Sequence, residues 1–383
     1  MPDPYLSERP PMSVDPTLHD RFMATALALG RRGLGRAWPN PAVGAVLVRP
    51  SAAGPVVVGR GWTQPGGRPH AEAEALARTG EQARGATLYV TLEPCSHAGR
   101  GPPCADAVIA SGVAHVVSAL EDPNPRVAGD GHARLRASGI TVEVGVGAAA
   151  ARRAHAGHIR HIRDRRPNVM LKLAVSADGK AGLAGRRPAA ITGEPARDRV
   201  HLMRAMSDAI LVGVGTVLAD DPLLTCRLPG LAGRSPVRIV LDGALRLPLD
   251  SRLVQSAREV PVWVIAASAP ADRADALEGR GVTVLRGEAS EPGRLDLAAT
   301  LRLIAERGIT RLMVEGGPTI AAALIAADLV DEAALLRSDR VIGADGVEAL
   351  AGLPLEALAG SPRLKSLGIE PVGADRLELF ERI

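Results

Sequence analysis

Apolar residues in the first 150 positions fall into short runs and helical periodicities that alternate along the chain. Apolar positions three and four residues apart predict an amphipathic helix, whereas short apolar runs bounded by turn residues predict strands. In chain order these patterns predict a helix from Asp20 to about Gly30, strands at Val43–Val48 and Val56–Val58, a helix from about His70 to Gly80, a strand at Ala86–Leu92, a helix from about Pro103 and a strand at Val113–Ala119. This order predicts an α/β domain.

An alanine- and arginine-rich segment, residues 149–166, predicts a further helix at the end of this region. His155, His158 and His161 recur along it at intervals of three residues, so a second metal site is one interpretation. A solvated linker helix is favoured, because charge-rich helical faces usually face water. We therefore place a domain boundary in this segment.

The strand and helix pattern restarts after Pro167. Strands are predicted at Val169–Ala174, Ala209–Val212, Val237–Leu241, Val260–Ala266, Val282–Leu285, Arg311–Val314 and Glu332–Leu336, and helices include Pro195–Ser207 and Leu297–Arg307. Alternation of this kind predicts a mainly parallel sheet. The predicted organisation is a disordered, proline-rich leader over 1–16, a first domain over 17–164 and a second domain over 165–383.

Composition narrows the class of protein. The 383 residues suffice for two domains, and 46% are hydrophobic although only 2% are aromatic, so the cores must consist of Leu, Val, Ile and Ala. The formal net charge of +4 is modest and does not by itself imply nucleic acid. Three cysteines argue against a disulfide framework, and we find neither an apolar run of membrane-spanning length nor a signal sequence. We therefore expect a cytoplasmic protein.

One histidine and two cysteines stand where predicted helices begin. His70 begins one helix, whereas Cys95 and Cys104 lie around the start of the next, so three ligands would leave a fourth metal position open. Catalytic zinc sites keep that position for water, whose pKa zinc lowers. Glu72 follows the histidine by two residues and is predicted to carry protons beside that water. Taken separately, the first pair could belong to an ordinary helix start, and the cysteines could be core residues.

Three other segments carry candidate binding residues but admit simpler interpretations. Asn40 lies between two prolines, where an ordinary Asn-Pro turn explains the pattern at least as well. His97 and Arg100 lie between the two cysteines, where an arginine would suit a substrate phosphate. Glu315-Gly316-Gly317 joins a strand to a helix whose backbone N–H groups could hold phosphate, although a plain glycine turn is favoured by these residues alone.

Four motifs in the first half together resemble one known family. They are Pro39-Asn40-Pro41-x-Val43-Gly44, His70-Ala71-Glu72, the segment from Thr91 to Cys104 and Asp122-Pro123-Asn124-Pro125-x-Val127-x-Gly129. They are similar to those of the bifunctional deaminase–reductases of riboflavin biosynthesis. Zinc nucleobase deaminases usually separate their two cysteines by two residues, and the eight residues found here are this family's form.

The resemblance implies a cytidine-deaminase-like first domain, in which helices sandwich a mixed sheet. It implies one Zn²⁺ per chain, bound by His70, Cys95 and Cys104, with Glu72 as the catalytic proton shuttle. It also implies a deaminase substrate site that includes Asn40, His97 and Arg100.

The second half resembles the reductase domain of the same family, which has a dihydrofolate-reductase-like α/β fold and uses NADPH. The matching segments include Leu171-Lys172-x-Ala174-x-Ser176-x-Asp178-Gly179-Lys180, Ile191-Thr192-Gly193, Gly213-x-Gly215-Thr216, Ala219-Asp220-Asp221-Pro222-x-Leu224-Thr225-x-Arg227 and Glu315-Gly316-Gly317. The implied cofactor-binding residues are Ala174, Ala190, Thr216, Asp220, Gly317, Pro318 and Thr319. The implied reductase substrate residues are Lys172, Arg204, Leu224, Arg227 and Glu315, with two guanidinium groups for a 5′-phosphate.

Three positions depart from the family pattern. Thr63 stands where the family usually has a histidine, which puts one substrate contact in question. Ala190 stands where a tryptophan is common, and Gly243 stands where some relatives carry a hydroxyl residue. The last two departures predict altered NADPH binding, while none of the three affects the metal ligands.

The resemblance implies two reactions on phosphorylated pyrimidines. The first is hydrolytic removal of the 2-amino group of 2,5-diamino-6-ribosylamino-4(3H)-pyrimidinone 5′-phosphate. The second is NADPH-dependent reduction of 5-amino-6-(5-phosphoribosylamino)uracil to the ribityl product. The expected partners are these small molecules, with neither nucleic acid nor a membrane, and a homo-oligomer is left open.

Two rival hypotheses remain at this point. A nucleic-acid base deaminase would need aromatic side chains that stack on single-stranded bases, and two Phe, two Tyr and three Trp in the chain supply few. A zinc-stabilised scaffold without catalysis is suggested by Thr63 and Ala190, but the intact Glu72 and the three metal ligands oppose it.

Overall fold

The computed structural model describes residues 16–97, 101–125, 127–183, 190–291 and 293–383. Its helices are α1 Pro16–Gly30, α2 Ala71–Thr79, α3 Cys104–Ala110, α4 Asp130–Ala137, α5 Ala148–Ala154, α6 Ala156–Asp164, α7 Glu194–Ala205, α8 Val214–Asp220, α9 Arg252–Gln255, α10 Ala271–Glu278, α11 Leu297–Glu306, α12 Pro318–Ala326 and α13 Glu356–Ala359. No described helix is long and apolar enough to cross a membrane.

The strands occupy the segments between these helices. They are β1 Gly44–Arg49, β2 Val56–Trp62, β3 Thr87–Val90, β4 His115–Ser118, β5 Thr141–Val144, β6 Asn168–Val175, β7 Lys180–Leu183, β8 Ala209–Gly213, β9 Val237–Leu241, β10 Val262–Ala266, β11 Val282–Arg286, β12 Ala289–Glu291, β13 Arg294–Leu295, β14 Arg311–Val314, β15 Glu332–Arg337, β16 Gly346–Glu348, β17 Leu364–Val372 and β18 Asp375–Arg382.

These elements form two compact units. The first contains the described residues up to Gly33 and Ala42–His155, and the second contains Leu34–Pro41 and Ala156–Ile383. The chain changes unit slightly before the predicted boundary after residue 164. The predicted leader, 1–16, lies outside the described residues except for its last position, where α1 begins.

The first unit is built on a mixed five-stranded sheet in the order β2-β1-β3-β4-β5. Strand β1 is antiparallel to β2 and β3, whereas β3, β4 and β5 run parallel. Alternate residues of β1 point to opposite faces, so Ala45 and Leu47 pack with α2, α3 and α4, while Val46 and Val48 pack with α1 and α5. The predicted sheet sandwiched by helices is confirmed.

The second unit is built on a nine-stranded sheet in the order β11-β10-β9-β8-β14-β6-β15-β18-β17. The first seven strands in this order are parallel, as the alternating pattern predicted. Helices α11 and α12 pack on one face, and α7, α8, α9 and α10 pack on the other. Because both faces are covered, these strands are apolar runs without alternation.

The antiparallel end of this sheet, formed by β17 and β18, was not predicted. Strand β17 is exposed along almost its whole length, and β18 alternates charged and apolar residues. The edge strand β17 has no buried face and therefore gives no apolar periodicity to detect. The alternation in β18 was a usable signal that was missed. The pair β7 and β16 was missed for the same reason as β17, since none of its residues is fully buried.

The prediction of one solvated linker helix over 149–166 is wrong. The chain forms two helices, α5 and α6, and the residue between them, His155, is 2% exposed. Its Nε2 atom lies 3.0 Å from the hydroxyl of Thr91, just beyond β3. A buried, hydrogen-bonded histidine therefore anchors the end of the first unit to its sheet. Among described residues, the groups with metal-ligand geometry do not include the three histidines of this segment.

Candidate active sites

Close packing of α2 on β2 sets the position of the predicted zinc ligand His70. A Cβ atom at Gly61 would lie 2.1 Å from the backbone oxygen of Ala71, and one at Gly59 would lie 2.8 Å from that of Ala75. Only glycine permits this approach, because real Cβ contacts are longer. His70 is the N-cap residue of α2, so the Gly59-Arg60-Gly61 sequence fixes where the helix begins relative to the sheet.

The structure brings the three predicted zinc ligands together. The Nδ1 atom of His70 lies 3.6 Å from Sγ of Cys95 and 3.3 Å from Sγ of Cys104. All three ligand atoms lie within 4.8 Å of one another. Cys95 follows β3 in a loop, and Cys104 is the first residue of α3, whose backbone N–H donates to Sγ of Cys95 at 3.3 Å.

These contacts favour a thiolate at Cys95. The hydrogen bond from the Cys104 thiol lowers the pKa of Cys95 to about 4 against the opposing effect of burial, and the contacts with His70 and with the backbone N–H of Cys104 lower it further. The pKa of Cys104 is raised by the same shared proton and by burial. The hydrogen bond to Cys95 also raises the pKa of His70. Two sulfur atoms and an imidazole that compete for protons form a donor set that suits a divalent metal.

The geometry fits zinc. Zinc binds thiolate sulfur at about 2.3 Å and imidazole nitrogen at about 2.0–2.1 Å in a tetrahedron, which places neighbouring nitrogen and sulfur ligands about 3.5 Å apart. The separations of 3.3 and 3.6 Å match this value. Three ligands leave the fourth position for water, as in catalytic sites.

Glu72 lies in the first turn of α2 and is 3% exposed. Burial raises the pKa of its carboxyl to about 7, although the charge of His70 opposes this. A carboxyl with that pKa both accepts and donates a proton near neutral pH.

The predicted deaminase substrate residues lie in different surroundings. Asn40 is half-buried, donates its backbone N–H to Ala37, and belongs to the Leu34–Pro41 segment that groups with the second unit. His97 is exposed in the loop after Cys95, and Arg100 lies outside the described residues. Their roles in substrate binding stay predictions.

Thr63 has a structural role. It is 1% exposed, its hydroxyl accepts the backbone N–H of Val43 at 3.0 Å, and its own N–H donates to Val43 at 2.9 Å. The Thr63 hydroxyl therefore closes the end of the β1–β2 pair. Its oxygen accepts a hydrogen bond from within the protein.

Glu93 organises the loop that carries Cys95, although no motif assigned it a role. Its side chain is almost fully buried and accepts the backbone N–H groups of Asp122 and Gly129, both at 3.0 Å, and of His132 at 3.1 Å. The 122–129 segment is thereby tied to the residue two positions before a zinc ligand. The only available signal was an acidic residue directly before Pro94-Cys95. Glu93, Glu121 and His132 also lie close enough to ligate a metal, but the carboxylate of Glu93 is already occupied.

We expect Glu93→Ala to destabilise the first unit by about 3 kcal/mol. The substitution leaves the buried N–H of His132 and the part-buried N–H groups of Asp122 and Gly129 without this acceptor, and loss of a buried partner costs roughly 1–3 kcal/mol. The thermal midpoint of this unit, measured by calorimetry, should fall by roughly 6–12 °C, and bound zinc should decrease. Glu121→Ala, an exposed neighbour, is the matched control and should change neither quantity. Equal effects of the two substitutions would contradict this role.

The second unit contains a cavity of about 980 Å³. Most predicted cofactor and substrate residues of the reductase line it: Lys172, Ala174, Arg204, Thr216, Asp220, Leu224, Glu315, Gly317, Pro318 and Thr319. Arg227 lines a smaller adjoining pocket. Ala190 is exposed and accepts a hydrogen bond from Arg340, and among described residues it is not one of those that line either cavity.

The cavity fits a dinucleotide cofactor in size and in its donors. Its volume is at the upper end of the usual range for small-molecule sites. Helix α12 begins on its wall with Gly317 as N-cap and Pro318 at the first position, and a helix N-terminus suits a phosphate. A Cβ atom at Gly317 would lie 3.6 Å from the hydroxyl of Thr216, which brings two predicted cofactor residues together.

Gly243 also lies on this wall, and packing explains its departure from relatives with a hydroxyl residue. A Cβ atom there would lie 2.2 Å from the backbone oxygen of Gly293. The close approach of this second backbone segment requires glycine in this chain. The segment occupies space that a side chain at 243 would otherwise fill.

A buried ion pair lies at the substrate end of the cavity. The guanidinium of Arg204 donates to both carboxylate oxygens of Glu315 at 2.7 and 2.8 Å, and the ammonium of Lys172 lies 3.8 Å from the same group. Burial favours the neutral acid, but the two cations outweigh it and lower the pKa of Glu315 to about 2. The carboxylate is therefore charged at any physiological pH.

Both halves of the chain match known protein families. A family described as the cytidine and deoxycytidylate deaminase zinc-binding region matches residues 16–120, and the RibD C-terminal domain matches residues 167–377. The first match contains His70, Cys95 and Cys104, and the second contains the cavity residues. These matches confirm the predicted cytidine-deaminase-like and reductase domains.

Relatives match the chain over nearly its full length. It is 41% identical over 366 residues to the riboflavin biosynthesis protein RibD of Escherichia coli (strain K12), covering 92% of this chain and 96% of that protein. It is 37% identical over 361 residues to RibD of Aquifex aeolicus (strain VF5), with coverages of 94% and 98%.

Solved structures agree. Acinetobacter baumannii RibD, form 1, superimposes with a TM-score of 0.84 at 33% identity and covers 96% of this chain and 100% of that one. The Thermotoga maritima diaminohydroxyphosphoribosylaminopyrimidine deaminase/5-amino-6-(5-phosphoribosylamino)uracil reductase gives 0.82 at 33% identity, with coverages of 96% and 99%. On the evidence of both domains and of this near-complete alignment, the chain belongs to the RibD family.

Proposed function

We propose that this chain catalyses two steps of riboflavin biosynthesis. The first is hydrolytic deamination of 2,5-diamino-6-ribosylamino-4(3H)-pyrimidinone 5′-phosphate. The second is NADPH-dependent reduction of 5-amino-6-(5-phosphoribosylamino)uracil to the ribityl product. The observation that carries the proposal is the presence of a His70–Cys95–Cys104 centre in one unit and a 980 Å³ cavity in the other, in a chain that aligns with RibD proteins almost end to end.

In the deaminase unit, His70, Cys95 and Cys104 would hold zinc. Zinc bound there would supply the Lewis acidity that activates water for attack on the ring carbon. Glu72 accepts a proton from the water and delivers a proton to the departing amine, so water and the amidine yield a carbonyl and ammonia. Its position in the first turn of α2, two residues after His70, and its burial support this role. Asn40, His97 and Arg100 are proposed to bind the pyrimidine and its phosphate.

In the reductase unit, bound NADPH would supply the hydride that C1′ of the substrate accepts; the bond from C1′ to the ring oxygen breaks and that oxygen takes up a proton, which gives the open ribityl chain. The chain's own residues orient the two molecules. Ala174, Ala190, Thr216, Asp220 and the 317–319 turn are proposed to hold the cofactor. Lys172, Arg204, Leu224, Arg227 and Glu315 are proposed to hold the substrate.

We also infer a cytoplasmic protein whose partners are phosphorylated pyrimidines and neither nucleic acid nor a membrane. The modest net charge and the low number of aromatic side chains support this inference. A homo-oligomer is compatible with the proposal.

The decisive test supplies the diaminopyrimidine phosphate to the purified, zinc-loaded chain and measures ammonia release with and without NADPH. We expect ammonia in both cases, and oxidation of NADPH only after ammonia has formed. Release of ammonia without any oxidation of NADPH would mean that the chain is a deaminase and not a reductase. Failure to release ammonia from this substrate would contradict the first step.

A further inference from the structure

Thr63 offers no side-chain contact to a deaminase substrate. It is 1% exposed, and its hydroxyl accepts the backbone N–H of Val43 at 3.0 Å, so its polar atom is used within the fold. A histidine, which is usual at this position in the family, carries two ring nitrogens that can bond a ligand. This chain therefore lacks a polar group at position 63, and a neighbouring side chain has to supply the missing contact.

A short closed loop carries Arg68 to the metal centre. The backbone N–H of Gln64 donates to the oxygen of Pro69 at 3.0 Å. Between these two residues, Pro65–Gly67 form a single 3-10 turn. The hydrogen bond joins the two ends of the loop, so Arg68 lies on a fixed backbone two residues before the zinc ligand His70.

The guanidinium of Arg68 approaches the loop between the two cysteine ligands. A Cβ atom at Gly101 would lie 3.3 Å from Nη1 of Arg68. Gly101 directly follows Arg100, which was predicted to bind the substrate phosphate. The hydrogen bond with Cys95 and burial raise the pKa of Cys104, and the positive charge of Arg68 opposes that rise. Arg68 therefore lies close both to a metal ligand and to the loop that is expected to hold the phosphate.

No group in the described part of the chain neutralises Arg68. Its side chain is half-buried, yet the guanidinium forms no ion pair and no hydrogen bond with a described residue. Other arginines of this unit have such partners, since Arg78 pairs with Glu74 at 2.7 Å and Arg134 pairs with Asp106 at 3.0 Å. A partly desolvated cation without a partner gains most from an anion, because charge-assisted hydrogen bonds are roughly twice as strong as neutral ones.

We propose that Arg68 binds the 5′-phosphate of the deaminase substrate and so replaces the contact that Thr63 does not make. The inference rests on the proposed function and adds a specificity-determining residue to it. The phosphate is favoured over the rest of the substrate because the pyrimidinone ring and the ribose carry no anionic group. The planar guanidinium also matches two phosphate oxygens at once.

The test compares Arg68→Gln with Arg21→Gln in the full, zinc-loaded chain. Arg21 is an exposed residue of α1, which packs on the opposite face of the sheet from α2, so the same charge is removed far from the site. Ammonia release is measured with 2,5-diamino-6-ribosylamino-4(3H)-pyrimidinone 5′-phosphate and with its dephosphorylated riboside. We expect Arg68→Gln to raise KM for the phosphorylated substrate about 10-fold or more, the loss typical of one charged hydrogen bond, with kcat within about 2-fold. KM for the riboside should not change, and Arg21→Gln should have no effect.

A conservative variant separates the charge of Arg68 from its fork geometry. Arg68→Lys keeps the charge without the planar pair of donors, so its KM should lie between those of the wild type and Arg68→Gln. An unchanged KM in Arg68→Gln, or an equal loss with the riboside, would overturn the inference. A fall in bound zinc that accounts for the lost activity would also overturn it, because Arg68 would then stabilise the metal centre and not the substrate.

A second measurement remains decisive if the wild-type chain releases no ammonia and the proposed function fails. Inorganic phosphate is titrated into the full-length, zinc-loaded wild type and both Gln variants by calorimetry. We expect Arg68→Gln to bind one phosphate fewer than the wild type, whereas Arg21→Gln should match the wild type. Equal stoichiometry in all three proteins, or no binding in the wild type, refutes the anion site at Arg68.

Discussion

Glutamine in place of Glu72 is expected to lower the rate of ammonia release by about 10³-fold, the usual contribution of a general acid–base group. The side chain is 3% exposed and keeps its shape in the variant, so packing is preserved. An amide neither accepts the proton of the attacking water nor delivers one to the amine. Because the three zinc ligands are untouched, zinc content measured by atomic absorption should equal that of the wild type.

Helix α2 offers a matched control for this prediction. Glu74 lies two residues further on and pairs with Arg78 at 2.7 Å on the surface. Glu74→Gln makes the same chemical change on the same helix and should leave ammonia release within about 2-fold, since exposed ion pairs contribute little. In Glu72→Gln, reduction of separately supplied 5-amino-6-(5-phosphoribosylamino)uracil should continue at the wild-type rate. Deamination that survives the substitution would rule out the proton-shuttle role.

The zinc centre was accessible to sequence reasoning because its geometry is local to a few elements. His70 and Cys104 each begin a helix, and Cys95 follows a strand, so the hydrophobic pattern already placed all three at the same kind of junction. The spacing of His70, Cys95 and Cys104 along the chain then identified them as metal ligands.

Contacts between distant segments were not accessible. Glu93 and the N–H groups that it accepts are 29 to 39 residues apart, and their partnership depends on backbone atoms that carry no sequence signal. Arg204 and Glu315 were both selected as substrate residues, but their bidentate pairing across 111 residues was not foreseen. That pairing neutralises Arg204 inside the cavity.

The burial of His155 at the end of the first unit was missed for the same reason, because it depends on a contact with a distant segment. The charge and the alanine content of residues 149–166 favoured a solvated helix. They gave no sign of the hydrogen bond between His155 and Thr91. Composition reports the average environment of a segment. It does not report the single buried hydrogen bond that anchors it.

Glutamine in place of Glu315 is expected to lower kcat/KM of the reductase by about 100-fold or more. The substitution leaves Arg204 and Lys172 without their negative partner in a site where the carboxylate side chain is only 8% exposed. Removing one member of a buried ion pair costs roughly 3–5 kcal/mol, because the remaining charge is left uncompensated. The same two cations would also lose the orientation that presents them to substrate.

The pH dependence of reductase activity in Glu315→Gln distinguishes loss of the buried charge from a change in the protonation of Glu315. The pKa of Glu315 is lowered to about 2, so the pair's stabilisation is present above the ordinary carboxyl pKa and is lost only as the pH falls towards 2. The ratio of wild-type to Glu315→Gln activity should therefore be constant from about pH 5 upwards. A ratio that approaches one within this range would mean that Glu315 is protonated in the working enzyme.

A second ion pair of the same sheet distinguishes local chemistry from general destabilisation. Glu332 pairs with Arg311 at 3.3 Å, is 20% exposed and lines neither cavity. Glu332→Gln should leave reduction within about 2-fold, whereas Glu315→Gln should lose it and still release ammonia at the wild-type rate. If both substitutions lowered reduction equally, the effect would belong to sheet stability. If only Glu315→Gln does so, the buried carboxylate holds the cations of the substrate site.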